Sequence, residues 1–330
     1  MRGIEDTLKR VVAPIVRTVG LPLGTVATWA LRLTARRAGV AVVYHGLAAE
    51  SGNPRSELVA PHGAALFEAE MRHLARRYRV VDATELPQAV AERRRGEPFP
   101  VAVTLDDDLS SHVEHALHAL HRTGVTATFF LTGASLDGPT SFWWERLQRV
   151  IDADRSRVQA LLAEFGAPTS ATGRPSSISE LARHVENLGP EARDAFAESL
   201  PDVSDPIDAG LRADDVRTLV EAGMTVGFHT RRHHPLPTLD DRALAAAFTE
   251  GRSDLEEVFG GTLTIVGYPH GRADERVAAA ARRAGFEVGY TGSGRAVRAG
   301  DDTLLLGRID PSYRSVGHFA LQIPWALSRR

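Results

Sequence analysis

From residue 40 onward the chain alternates short apolar runs with longer amphipathic stretches, and no other sequence feature restricts its fold as strongly. The runs fall at residues 40–44, 80–81, 101–105, 126–131, 225–228, 264–268, 287–290 and 304–306. Helical periodicity fills residues 65–77, 113–122, 243–259 and 275–284. A helix between two strands carries the chain back to its starting end, so repeated units of this kind build a mostly parallel sheet with helices outside. Such a sheet is either open or closed into a barrel. The rhythm fails between about residues 137 and 211. There Phe142, Trp143, Leu147, Val150, Ile151, Val158, Leu161 and Leu162 recur at helical spacing, and residues 167–177 are rich in Pro, Ser, Thr and Gly. This stretch reads as an inserted, mainly helical subdomain containing a loop.

Residues 1–39 are set apart by charge. They carry seven basic residues and only two acidic ones, whereas the whole chain holds 39 basic and 42 acidic residues and a net charge of −3. Ile4, Leu8, Val11, Val12, Ile15, Val16 and Val19 repeat at helical spacing, which predicts a basic amphipathic arm ahead of a body spanning 40–330. The charge-free stretch of 14 residues from Thr18 to Leu31 contains Pro22 and is shorter than the roughly 20 residues a spanning helix needs. Arg17 interrupts the apolar region and no small-x-small site follows, so a cleavable secretory signal is not expected. The arm is expected either to lie on an anionic membrane surface or to pack against the body or a partner subunit. The location expected is cytoplasmic or peripheral to a membrane. An acidic balance gives no footprint for nucleic acid. With no cysteine in the chain, any metal must be held by His, Asp or Glu.

Reactive side chains concentrate where strands end, the edge at which α/β folds place their sites. The run Val101–Leu105 leads straight into Asp106, Asp107 and Asp108. Three adjacent carboxylates call for a neutralising cation, whereas capping the next helix requires only one. A second run, Val226-Gly227-Phe228, leads into His229, followed by His233 and His234. Imidazoles four apart in a compact turn can reach one ion, and an aspartate would complete a three-ligand site with an open position.

At these residues the chain resembles the polysaccharide deacetylase, or NodB-homology, superfamily of carbohydrate esterases. Its first motif, Thr-Phe-Asp-Asp-Gly, is met by Thr104-Leu105-Asp106-Asp107-Asp108, and its second, His-Ser/Thr-x-x-His-Pro, by His229-Thr230-Arg231-Arg232-His233. Val42-Val43-Tyr44-His45 is similar to the opening strand, and Tyr268-Pro269-His270-Gly271 to the third motif. The resemblance implies a distorted (β/α)7-type barrel carrying the insertion. It further implies a divalent metal, zinc foremost, on Asp107, His229 and His233, with Asp106 as catalytic base. The activity implied is removal of acetyl groups, N-acetyl before O-acetyl, from an acetylated glycan. The two other readings are a metal-holding glycan-binding descendant and an amidase for a non-sugar substrate.

Several positions depart from the family pattern. Asp108 stands where the motif has glycine, the third-motif arginine that pairs with the base falls at Gly267, and Arg308 lies near the place of the late histidine that serves as general acid. His270, for the acid's role, and Arg308, to bind substrate or steady a carboxylate, are therefore carried as catalytic candidates, with Tyr268 and His45 as substrate contacts. Backbone N–H groups of residues 268–271 are candidates for stabilising an oxyanion. His234 is a rival ligand, and Trp143 and Trp144 suit either sugar stacking or the core of the insertion. His112, His115, His118 and His121 recur every third residue, but Val113, Ala116, Leu117 and Leu120 form the apolar stripe of that helix, so these histidines read as surface, with His112 nearest the aspartates.

Overall fold

In the computed structural model, described for residues 2–54, 56–136, 138, 140–154, 164–165, 178–201 and 210–329, seven parallel strands close into a barrel. They are β1 (Ala38–Tyr44), β2 (Pro100–Asp106), β3 (Thr128–Leu131), β4 (Thr225–Phe228), β5 (Ile265–Gly267), β6 (Val288–Thr291) and β7 (Leu306–Ile309). Each pairs with the next, and β7 returns to β1 through Ala41 opposite Arg308 and Val42 opposite Ile309. The choice between open sheet and barrel is thereby settled in favour of the (β/α)7 barrel. The short run near residue 80 is a two-residue strand, Arg79–Val80, that pairs with the start of β2 outside the ring.

Strand residues alternate between two packing layers, as the pleat requires. Val101, Val103 and Leu105 of β2 join Val40, Val42 and Tyr44 of β1 in the large core between barrel and helices. Ala41, Ala102, Phe130, Ile265, Tyr290 and Leu306 belong to the smaller interior cluster. That interior is narrow. A Cβ on Gly227 or Gly267 would stand 2.6 or 2.7 Å from the Phe130 ring, which fills the space at both positions.

Two of the differences from the expected element boundaries have a local cause. The single helix read over 243–259 is two helices, Asp241–Ala247 and Arg252–Phe259, parted at Gly251, which takes a φ of 70° where a Cβ would stand 2.3 Å from the Arg231 side chain. The last strand begins at Leu306 rather than Leu304, because the Asp302 carboxylate accepts from the Leu304 N–H and holds the chain in a turn. The insertion contributes helices Trp143–Ala153, Ile178–Glu186 and Pro190–Ser199. Trp143, Trp144, Leu147, Val150 and Ile151 pack there against Val185, Phe196 and Leu200. Val158, Leu161, Leu162 and the loop read at 167–177 lie outside the described residues.

The arm is one helix, Arg2–Arg32, lying along the C-terminal helix Val316–Ser328. The two backbones meet closely: a Cβ on Gly20 would stand 2.6 Å from the Gly317 carbonyl oxygen, and one on Gly24 2.1 Å from that of Ala320. The Thr28 and Tyr78 hydroxyls, 2.8 Å apart, tie the inner face to the body.

Candidate active site and metal centre

The alternation that builds the barrel also selects what its C-terminal mouth presents. On β2 the inward residues are Ala102, Thr104 and Asp106, and on β7 they are Leu306 and Arg308. Asp106 and Arg308 meet as a buried fork, Nη1 to Oδ1 at 2.5 Å and Nη2 to Oδ2 at 2.7 Å. Arg308 Nη1 also donates to Thr104 Oγ1 at 3.2 Å, and that hydroxyl donates to the Val42 carbonyl at 3.0 Å. The guanidinium carbon stands 5.4 Å from the centre of the Phe130 ring. The ring that excludes a side chain from position 267 thus lies beside the arginine that takes over the pairing. Burial alone would raise the Asp106 carboxyl, but Arg308 and then His229 outweigh it and hold it below the usual carboxylate range.

Asp107 leaves the strand with a φ of 75°, a left-handed turn that redirects its carboxylate. His229 follows β4, and its Nδ1 donates to the Gly267 carbonyl at 2.7 Å, so Nε2 is left with the free lone pair. Thr230 and His233 both take positive φ, 53° and 48°, which folds the five-residue turn tightly enough to bring back the second imidazole. His233 Nε2 lies 3.2 Å from His229 Nε2 and 3.4 Å from Asp107 Oδ1, and His229 Nε2 lies 3.6 Å from the same oxygen. One donor atom from each of the three residues falls within 4.8 Å of the others.

The donor set fits a divalent cation. Asp107 Oδ1 is buried with no hydrogen-bond partner among the described residues, a costly state for a carboxylate without a cation. Burial, then the charges of Asp106 and Asp108, push the Asp107 carboxyl well up, while burial pushes His229 down to about 4 and His233 well down. Neutral imidazoles and an oxygen donor without thiolate match zinc and its borderline neighbours.

A cavity of about 280 Å³ opens over this cluster, lined by His45, Asp106, Asp107, His233, His270 and Arg308, and walled by Trp143 and Trp144 from the insertion. The Trp144 ring lies 5.1 Å from that of His233. His270, itself at a φ of 58°, stacks edge-on to His233 and places Nε2 3.3 Å from its carbonyl oxygen, with Nδ1 3.4 Å from Glu186.

Tyr268 does not share the cavity. It follows inward Gly267 and therefore points outward, where its buried hydroxyl donates to the Leu304 carbonyl. Two of the expected oxyanion amides are occupied, since Tyr268 N–H donates to the Tyr290 carbonyl and Gly271 N–H to that of Tyr268. His234 turns away from the donors to Asp194, 2.9 Å off. Asp108 faces the other side of the mouth, where it accepts from the Thr132 and Ser135 hydroxyls and the Thr132 amide, fastening the loop after β3. Of the four spaced histidines, His118 and His121 are exposed and His115 is half-buried. His112 is buried against Phe129 rather than in the cavity.

Two residues of the insertion were not singled out from the sequence. Arg193 is buried and donates to the His233 carbonyl at 2.7 Å, and Glu186 faces His270. On charged helices nothing in the local pattern separates an arginine or glutamate aimed at a site from one aimed at solvent.

The polysaccharide deacetylase family model matches residues 181–289, a span holding the second and third motifs but not the first. No curated protein matches the chain. Among solved structures, the Streptococcus pyogenes deacetylase PplD, in complex with acetate, aligns at a TM-score of 0.59 and 15% identity, over 88% of this chain and 99% of its own. A polysaccharide deacetylase from Bacillus cereus aligns at 0.56 and 14%, over 87% and 69% of the two chains. IcaB from Ammonifex degensii aligns at 0.53 and 18%, over 86% and 97%. Identities this low establish the fold, and the family match covers the second and third motifs.

Proposed function

We propose that this chain, a hydrolase of the polysaccharide deacetylase family, removes N-acetyl groups from a glycan, using a divalent ion, zinc foremost, held by Asp107, His229 and His233. The carrying observation is the Asp106 carboxylate, held below the usual carboxylate range and fixed by Arg308 directly beside the three donors. When bound, a divalent ion supplies Lewis-acid polarisation of the amide carbonyl and acidifies a water. Asp106 takes the proton of the attacking water, which its ionised state allows. Arg308 holds both carboxylate oxygens, so the base keeps one orientation through the reaction. His270, beside His233 in the same cavity lining, delivers the proton that the departing sugar nitrogen requires. Trp143 and Trp144 present apolar faces to a sugar ring. Acetate and a glycan amine are the products, and an acetate complex is known for the aligned streptococcal deacetylase.

The Asp106–Arg308 fork also supports an enzyme over a binding protein, because it restores the carboxylate pairing that a glycine at 267 would otherwise forfeit. Acetate release from a panel of N- and O-acetylated oligosaccharides by zinc-loaded protein tests the proposal. Release from at least one N-acetylated glycan, abolished in Asp106→Asn, is expected. No release from any member of the panel would sink it.

A further inference from the structure

The N-terminal helix Arg2–Arg32 packs its inner face, Gly20, Gly24 and Thr28, against the body. Its outer face remains apolar. Val19, Leu23, Val26, Trp29 and Leu33 recur at helical spacing on that side, and Leu23, Val26 and Trp29 are 54%, 63% and 61% exposed. The C-terminal helix adds Trp325, 57% exposed. Between the two helices runs a groove of about 770 Å³ that includes Ala27, Ala30, Leu321 and Trp325. An apolar surface of this kind is rare on a protein facing only water.

Charge says what covers it. Residues 16–37 and 311–330, the two segments that form the face, contain seven arginines and no aspartate or glutamate, in a chain whose net charge is −3. Arg17 precedes the uncharged stretch of the N-terminal helix and Arg37 follows that helix, Arg314 and Arg329 bracket the C-terminal helix, and all four are exposed. Arg329 lies over the Trp325 ring at 4.4 Å, so a cation and an aromatic share the edge of the face. Tryptophan beside arginine around an apolar stripe matches the layering of a bilayer interface, with rings at headgroup depth and guanidinium groups on phosphate. A second copy of the chain would bring two acid-free, arginine-bearing faces together and be repelled. Among the described residues no helix is long and apolar enough to cross a membrane, so the geometry is docking rather than spanning.

We propose that the joint outer face of the N-terminal and C-terminal helices seats this protein on an anionic lipid bilayer. The C-terminal helix thus takes part equally with the basic arm. Flotation with phosphatidylcholine vesicles, with and without phosphatidylglycerol, tests it on the full chain. The parent should float with the anionic vesicles and partition at least about tenfold less onto neutral ones, with binding falling as salt rises. The triple variant Val26→Glu, Trp29→Glu, Trp325→Glu alters only exposed side chains, and its folding is checked by its unfolding midpoint. It should lose binding by about tenfold or more. A quadruple Arg17→Gln, Arg37→Gln, Arg314→Gln, Arg329→Gln variant should lose the preference for anionic lipid. Failure of the parent to float with either vesicle overturns the proposal, as does unchanged binding by the folded triple variant. A dimer in sedimentation that the triple variant disperses, without vesicle binding by the parent, would assign the face to self-association instead.

Discussion

Replacing Arg308 by methionine should damage folding and turnover together. The substitution keeps much of the aliphatic stem but removes both bonds of the fork, leaving the two Asp106 oxygens buried at the barrel mouth. Breaking a buried ion pair by deleting one partner costs about 3–5 kcal/mol. The alternative open to the protein is to protonate Asp106, at about 1.4 kcal/mol for each pKa unit below the working pH. Arg308 is the leading influence that holds this carboxyl down against burial, so its loss moves the carboxyl upward. The base then becomes neutral over a wider acid range. Acetate release measured against pH should show the acid limb displaced to higher pH and kcat lowered by about 10² to 10⁴. KM should change little, because the arginine acts through Asp106. Arg308→Lys keeps the charge without the planar fork and should recover part of the stability and part of the rate. Urea unfolding supplies the stability arm. An Arg308→Met protein with the parent's unfolding midpoint and an unmoved acid limb would refute the positioning role, and so would a lysine variant indistinguishable from methionine in every readout.

Further predictions concern the metal, the insertion and acid stability. Asp107→Ala should lose bound zinc and activity together, whereas Asp106→Asn should keep zinc by metal analysis and lose about 10² to 10⁴ in rate; loss of metal from both would merge the two roles. Arg193→Met removes the donor to the His233 carbonyl and should weaken zinc binding by about tenfold in a competitive chelator titration, the scale of an outer-sphere change. Burial lowers His73 to about 4 and His112 to about 3, so the folded state refuses protons that the unfolded chain accepts below about pH 6.5. Stability should therefore fall with pH from about 6.5 towards 4, each histidine contributing about 2 kcal/mol of loss at pH 5. Urea midpoints at pH 7 and 5 should draw together in a His73→Leu, His112→Leu variant.

The strands and the two halves of the metal cluster were legible because each is local in sequence, and Asp107 could be joined to His229, more than 100 positions away, because both follow strand ends. A short apolar run bounded by turns identifies a strand wherever it pairs, and two histidines four apart already lie within one turn. Arg308 was legible as a residue that could steady a carboxylate but not which one, since Asp106 lies 202 positions away and only barrel closure makes β7 face β2. Tyr268 shows the opposite failure. Its position in a motif suggested the cavity, whereas strand parity, with Gly267 inward, places the next side chain on the outer face. The misplaced start of β7 came from reading Leu304 and Leu305 by hydrophobicity alone, when Asp302 forms a turn there. Arg193 and Glu186 were invisible because helical spacing carries no information about which distant wall a helix will face.

Among the described residues, four non-glycine side chains sit at positive φ: Asp107, Thr230, His233 and His270, all at or beside the metal cluster. Such conformations cost about 1–3 kcal/mol each and survive only where surrounding structure enforces them. Three of the four carry donors or line the cavity, so their backbone geometry is tied to their side chains. Thr230 is different: it is β-branched, buried, and its hydroxyl has no hydrogen-bond partner among the described residues. A lineage adapting to heat therefore has one step open in this turn, glycine at 230, that relieves strain without touching a ligand, while the other three positions stay frozen by chemistry.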